Sequence, residues 1–166
     1  MKKILLFITS VLFITSAAFS QSKVNIRSLV QYGDKMYKID DDKPYTGKVF
    51  DLYKSNGNKK VEGYYKDGLR NRKWEWWSED GKMDSSGTYK DGNQDRKWTS
   101  WYENGQKEYE GTYKDGKEDG LWTEWHDNGQ RRAEFTYEDG EVISEKCWDE
   151  DGYERECYSM KRLWLK

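Results

Sequence analysis

Residues 112–130 read TYKDGKEDGLWTEWHDNGQ, with two tryptophans, Trp122 and Trp125, set three apart between two turn signals and hardly an aliphatic neighbour. Such a segment must find something apolar to pack against, and near-copies of it lie on either side. Aligned on the glycine of the Lys-Asp-Gly type tripeptide, Gly68, Gly92, Gly116 and Gly140 recur every 24 residues. A second series, Asn56-Gly57, Asp80-Gly81, Asn104-Gly105 and Asn128-Gly129, keeps the same period, and Asp151-Gly152 follows one residue early. Asn-Gly and Asp-Gly are strong hairpin signals, because a type I′ turn needs positive φ at both central residues. Each unit therefore holds two reversals, and the segments between them are long enough for one strand each.

Within the unit the aromatics fall into columns. Tyr65, Tyr89, Tyr113 and Tyr137 share one position, and two residues earlier stand Gly63, Gly87, Gly111 and then Phe135. Residues two apart on a strand share a face. Glycine beside tyrosine thus predicts a ring from the neighbouring strand lying over the glycine. The other strand supplies those rings: Phe50, Trp74, Trp98 and Trp122 in one column, and Tyr53, Trp77, Trp101, Trp125 and Trp148 in a second. Residues three apart point to opposite faces, so either a bulge re-aims one column or the sheet carries aromatics on both sides. The bulge is the favoured reading.

A half-buried aromatic removes about 100 Å² from water, worth roughly 2 to 3 kcal/mol. Three per unit give under ~10 kcal/mol, whereas fixing the unit's backbone costs upward of ~24 kcal/mol. A lone hairpin cannot stand, and stability has to come from neighbouring copies burying each other's rings. Trp122 is expected to pack on the next unit's copy of itself. The expected fold is all-β, an elongated antiparallel meander with four full 24-residue hairpins and a degenerate fifth.

The chain opens with MKKILLFITSVLFITSAAFS, two lysines followed by an apolar run and a small-residue site, the pattern of a secretory signal peptide cleaved near Ser20. The expected organisation is a signal peptide over 1–20, an N-terminal cap over 21–43, the repeat array over 44–152 and a C-terminal tail over 153–166. The tail, Lys161 to Lys166, is expected to cover the last open strand edge. The exported product is then periplasmic or extracellular. Basic residues number 29 against 31 acidic, and loss of Lys2 and Lys3 with the leader leaves 27 against 31. Interspersed charge of this balance excludes a basic stripe for nucleic acid. Past the leader, 24 aromatics stand against 14 Val, Leu and Ile. The mean hydropathy of −1.21 points to disorder, but regularly spaced aromatics point to order.

Residues for chemistry are sparse. A nucleophilic triad or imidazole metal site needs histidine, and the one histidine, His126, sits beside a turn as a strand-end residue. Glu62, Glu110 and Glu134 recur by period, which reads as a solvated sheet face and not as a converging acid pair. Asp40-Asp41-Asp42 and Asp149-Glu150-Asp151-Gly152 lack the full calcium-loop pattern and read as turn charge. No catalytic residue, metal site or cofactor is expected. Cys147 and Cys157 are the only cysteines, and an exported compartment allows them to pair, with two free thiols as the alternative. A two-residue Asp151-Gly152 loop would leave them out of step, so pairing needs an odd loop centred on Gly152, or a bulge.

The unit YKDG-x3-G-x-W-x2-W-x2-NG, carried best by Tyr113, Asp115, Gly116, Gly120, Trp122, Trp125, Asn128 and Gly129, resembles the MORN repeat variant of bacterial YwqK-like proteins, often labelled antitoxin components. The resemblance spans about Pro44 to Gly152. It departs at Arg72 and Arg96, which stand where Gly120 stands and are expected to fill space beside the rings. The functional expectation is an exported, non-enzymatic module for a protein partner. Its binding residues would come from the aromatic columns: Trp74, Trp77, Trp98, Trp101, Trp122, Trp125, Tyr89 and Tyr113. The exposed sheet edge also offers a route to a homodimer. A membrane-surface or envelope-carbohydrate binder is the competing reading, the former implied by the resemblance. An antitoxin-like neutraliser ranks third, since antitoxins of cytosolic toxins have no use for a leader.

Overall fold

The computed structural model describes residues 22–157. The signal peptide and the edge-covering tail expected from the sequence lie outside the described residues. An N-terminal region gives β1 (Val24–Asn25), a 3-10 turn (Ile26–Ser28) and the hairpin of β2 (Leu29–Tyr32) and β3 (Lys35–Lys38). Then come β4 (Gly47–Leu52), β5 (Lys59–Lys66), β6 (Leu69–Trp77), β7 (Met83–Lys90), β8 (Asn93–Trp101) and β9 (Lys107–Lys114). The array ends with β10 (Lys117–Trp125), β11 (Arg131–Glu138), β12 (Glu141–Trp148) and the short β13 (Glu154–Arg155). β4 to β13 form an antiparallel meander in chain order, with β1 added parallel to β4, and β2–β3 form a separate two-stranded sheet. The four full hairpins and the degenerate fifth follow the sequence expectation; the parallel first strand does not.

The two reversals use different chemistry. In each Lys-Asp-Gly type turn the two central residues both take positive φ, as at Asp67 (50°) and Gly68 (81°), and the flanking residues Lys66 and Leu69 pair directly. That is the type I′ hairpin. In the Asn-Gly series only the glycine is left-handed. Ser78 N–H donates to Lys82 O at 2.9 Å and Gly81 N–H to Ser78 O at 2.9 Å, which is a three-residue loop closed by a left-handed glycine. In the first copy Tyr53 N–H instead reaches Asn58 O and Gly57 N–H reaches Tyr53 O, one residue more. That extra residue shifts β4 by one. Val49 and Leu52, not Phe50 and Tyr53, hold the places of Trp74 and Trp77: Val49 pairs with Gly63 as Trp74 pairs with Gly87.

The core is a ladder of rings along one face. A Cβ built on Gly63, Gly87 or Gly111 would collide with the indole of Trp74, Trp98 or Trp122 respectively, so glycine is what lets each ring lie on the adjacent strand. Trp74 and Trp122 also donate their indole N–H to Tyr64 O (3.2 Å) and Thr112 O (3.1 Å), which satisfies the one polar atom each ring buries. Tyrosines alternate with the indoles: Tyr65–Trp74 centroids lie 5.1 Å apart, Trp74–Tyr89 6.1 Å, Tyr89–Trp98 5.6 Å and Trp98–Tyr113 6.0 Å. Tyr113–Trp122 at 4.9 Å and Trp122–Tyr137 at 6.2 Å continue the series, all edge-to-face. Trp122 therefore meets tyrosines and not its own copy. Equivalent tryptophans sit two strands apart, about 9.5 Å, too far for ring contact. Where the ladder ends, glycine and indole disappear together: Phe135 replaces the glycine, and its register partner Glu145 stands at the tryptophan position of β12.

Bulges occur, but not where they would re-aim tryptophans. From Tyr64↔Asn71 to Glu62↔Glu75, β6 advances four residues while β5 moves two. β8 and β10 do the same against β7 and β9. The excess contains a left-handed residue, Arg72 (63°), Arg96 (64°) or Gly120 (71°). This explains the departure at Arg72 and Arg96: the position is set by backbone conformation, and glycine holds it without strain. Against β11, β12 takes up only one extra residue, between Tyr137↔Val142 and Thr136↔Ser144, and so the last unit is one residue short. Before Trp77, Trp101 and Trp125 the register shifts again, but the extra residue belongs to the partner strand (Trp76↔Ser85 is followed by Trp77↔Met83), so β6, β8 and β10 keep their alternation and these tryptophans fall on the face opposite the ladder.

The caps close both ends. Leu29, with Val24, Ile26 and Met36, packs on Tyr45, Val49, Val61, Tyr65 and Trp74, so the few aliphatics gather where the ladder needs a lid. Arg27 Nε pairs with the buried Asp51 at 2.9 Å. At the other end Cys147 pairs in register with Arg155 across an odd loop centred on Asp151, not Gly152, and the disulfide runs diagonally to Cys157. Closing so short a loop is worth about 3 kcal/mol against the unfolded chain.

Candidate interaction surface

The face opposite the ladder is built from the alternate residues of the same strands, and it repeats as strictly. Lys59 bonds Glu62 at 3.0 Å, Lys107 bonds Glu110 at 2.7 Å, and Arg131 bonds Glu134 at 2.9 Å. Each pair links residues three apart across a hairpin strand that bends at its loop end. Lys23 adds a second contact to Glu62 at 2.6 Å, and Lys97 a second to Glu110 at 3.1 Å. The hydrogen bond from Lys23 leads in holding the Glu62 carboxyl below its ordinary value, against the opposing effect of burial. At Glu110 burial works against ionisation, but Lys107 and Lys97 together outweigh it and the value again falls. Glu62 and Glu110 are thereby held as anions, unsuited to donate a proton in general acid catalysis.

Between the ion pairs run the tryptophans. Lys59 Nζ lies 4.6 Å from the Trp77 ring centroid and Lys107 Nζ 5.4 Å from that of Trp125, so cations and indoles alternate along the loop-proximal edge of this face. Trp77, Trp101 and Trp125 are half-buried, whereas Trp74, Trp98 and Trp122 are buried in the ladder, Trp74 with no exposed surface. Of the aromatic residues expected to bind, the structure thus separates two sets. Trp74, Trp98, Trp122, Tyr89 and Tyr113 hold the sheet together. Trp77, Trp101 and Trp125 face outward among charged groups.

A groove of about 530 Å³ crosses this face at the centre of the array. Trp101, Met83, Ser86 and Thr99 line it together with the Lys73–Glu75 and Lys97–Glu110 ion pairs, whose lysines are largely exposed. Thr99 is only 5% exposed, and its Oγ1 donates to Glu110 at 3.3 Å. The paired cations of this face were legible as a Lys/Arg-x-x-Glu motif at 59, 107 and 131, a signal sequence reasoning missed because it saw only the recurring glutamates.

Along the loop edge a second ladder stitches successive units. The Asn104 amide donates to Asp127 O (2.6 Å) and the Asn128 amide to Glu150 O (3.0 Å), while each Asn Oδ1 accepts the N–H two residues on. Asparagine can do both; aspartate cannot donate. Asp80 accordingly bonds within its own loop, to Ser78 and Lys82, and its carboxyl is lowered to about 2. Tyr102 Oη donates to Trp125 O at 2.7 Å, and His126 Nε2 lies 3.1 Å from Trp148 O in the same role. His126 is thereby a structural strut. Asp149 Oδ1 accepts from Asp151 N–H and Tyr153 N–H, so this acidic stretch caps its own turn.

One acid pair breaks the period, on the ladder face. Burial raises the Glu124 carboxyl, with the Glu108 charge adding and Arg132 opposing, and Ser100 Oγ donates to Glu108 at 2.9 Å. Neither carboxylate has a histidine within the hydrogen bonds described, and no cluster of three metal-ligating side chains occurs among the described residues. No helix among them is long and apolar enough to cross a membrane.

The profile of the MORN repeat variant matches residues 73–91, 97–115 and 118–139, the β6–β7, β8–β9 and β10–β11 hairpins with small offsets. No curated protein matches the chain.

Proposed function

We propose that the chain is an exported, non-enzymatic interaction module that binds a protein partner across the face opposite its ring ladder. The three hairpins similar to the MORN repeat variant form the middle of that face. One observation carries the reading: Trp77, Trp101 and Trp125 stand outside the ladder, half-buried, with the Lys59 and Lys107 ammonium groups over Trp77 and Trp125. Tryptophan surrounded by a polar rim is the composition of an interface anchor, since its large surface is desolvated at small entropic cost. The ladder tryptophans are committed to the fold and supply no such site. An envelope glycan is the second reading, favoured by indoles flanked by groups that both donate and accept hydrogen bonds.

Capture from envelope extract by wild type and by a Trp77→Ala, Trp101→Ala, Trp125→Ala triple variant tests this reading. A partner held by wild type and lost by the folded triple variant supports it, and one held equally by both refutes it. Amino-terminal sequencing of material recovered outside the cytoplasm tests export separately.

A further inference from the structure

The outward face repeats with one exception, and the exception lies over the groove. Where the other strands carry Lys59 and Glu62, Lys107 and Glu110, or Arg131 and Glu134, β7 carries Met83 and Ser86. Met83 is the register partner of Trp77, as Lys107 is of Trp101 and Arg131 of Trp125. The alternation of indole and cation is thus interrupted by a thioether between Trp77 and Trp101. Serine in place of glutamate leaves the space that the groove occupies.

The charges around it are also unbalanced. Glu110 receives both Lys97 and Lys107, and Lys73 pairs with Glu75 at 2.6 Å. Three ammonium groups therefore face two carboxylates, in a chain whose overall charge is −2. The side chains of Lys73 and Lys97 remain 65% and 64% exposed. Resting on the protein-binding reading above, the geometry points to this notch as the anchor for an acidic segment of the partner. An apolar side chain enters between Met83 and Trp101, and neighbouring carboxylates meet Lys73 and Lys97. Methionine adapts its shape to an incoming side chain, and a positive rim selects a negative partner. A sugar fits less well here, because Met83 and Ser86 replace the long Lys or Arg and Glu side chains that the equivalent strands offer for hydrogen bonding.

The test restores the repeat. Met83→Lys with Ser86→Glu rebuilds the pair that the equivalent strands already carry, so the fold is retained while the notch is filled. The isotope-labelled protein is titrated with a blocked EDLFED peptide, its KKLFKK counterpart and maltohexaose, following the Trp101 indole N–H signal. EDLFED is expected to shift it saturably, with affinity at least tenfold weaker in the double variant. No shift, equal affinity in the double variant, or a preference for KKLFKK or maltohexaose overturns the proposal. Extract capture separates the two levels. A partner lost by the triple tryptophan variant but kept by the double variant removes the notch alone, and a partner kept by both removes the wider reading.

Discussion

Gly87→Ala is the smallest change that tests how the rings are held. The backbone at Gly87 is extended, so alanine suits it conformationally, and on an open strand the exchange would gain about 0.5 kcal/mol. Here the new methyl collides with the Trp98 ring. That ring cannot simply retreat, because Trp76 (5.5 Å), Tyr89 (5.6 Å) and Tyr113 (6.0 Å) surround it. Overpacking of this kind costs about 1–3 kcal/mol. Each displaced aromatic contact adds up to about 1 kcal/mol. The expected net loss is about 3 kcal/mol, a fall in Tm of roughly 10 °C for a domain of this size. Urea titrations of wild type, Gly87→Ala, Trp98→Ala and the double variant close the cycle. Without the ring, the methyl has room, and Gly87→Ala becomes neutral or slightly stabilising, giving a coupling of about 3 kcal/mol. Additive losses would show that glycine is present for some reason other than the ring.

Arg96 is left-handed, 82% exposed at its side chain and tied only to neighbouring Asp95, so Arg96→Gly should raise stability by about 0.5 kcal/mol in a urea titration. Arg72→Gly should gain less, because it also forfeits the guanidinium stacked 4.2 Å from the Tyr64 ring. Asn104→Asp removes the amide donor to Asp127 O and should cost about 1 kcal/mol, with faster hydrogen exchange in the two loops it joins. Glu124→Gln should raise the neutral-pH Tm. Glu124 is raised in the folded state, so its contribution is full below the unfolded value and lost as pH rises through the folded one; the gain should vanish in acid. Glu62 and Glu110, which are lowered, act with the opposite sign and lose their contribution as pH falls.

Much of the fold was written in the glycine and indole spacing, since a strand pair can place a ring over its neighbour only where a Cβ is missing. Three features were not. The first Asn-Gly loop holds an extra residue that no residue type announces, because loop length is set by which carbonyl the glycine N–H reaches. Hence Val49, not Phe50, took the ladder position. The left-handed bulge at Arg72 and Arg96 was hidden because arginine does not advertise positive φ; Gly120 did, in a copy that reads alone as a packing choice. The outward face depended on where the bulge falls, since β6 adds no residue between Trp74 and Trp77 and the two indoles keep the opposite faces that a three-residue spacing gives. Met83 and Ser86 were visible as departures from the repeat, yet their meaning needed the faces assigned.

The decisive comparison sets Trp98→Ala beside Trp101→Ala, two indoles three residues apart in one strand. With ring contact between successive hairpins acting as the core, Trp98→Ala should lower stability by about 3–5 kcal/mol and Trp101→Ala by no more than about 1 kcal/mol. Equal losses, or a greater loss at Trp101, would contradict the assignment of the ladder to the first face.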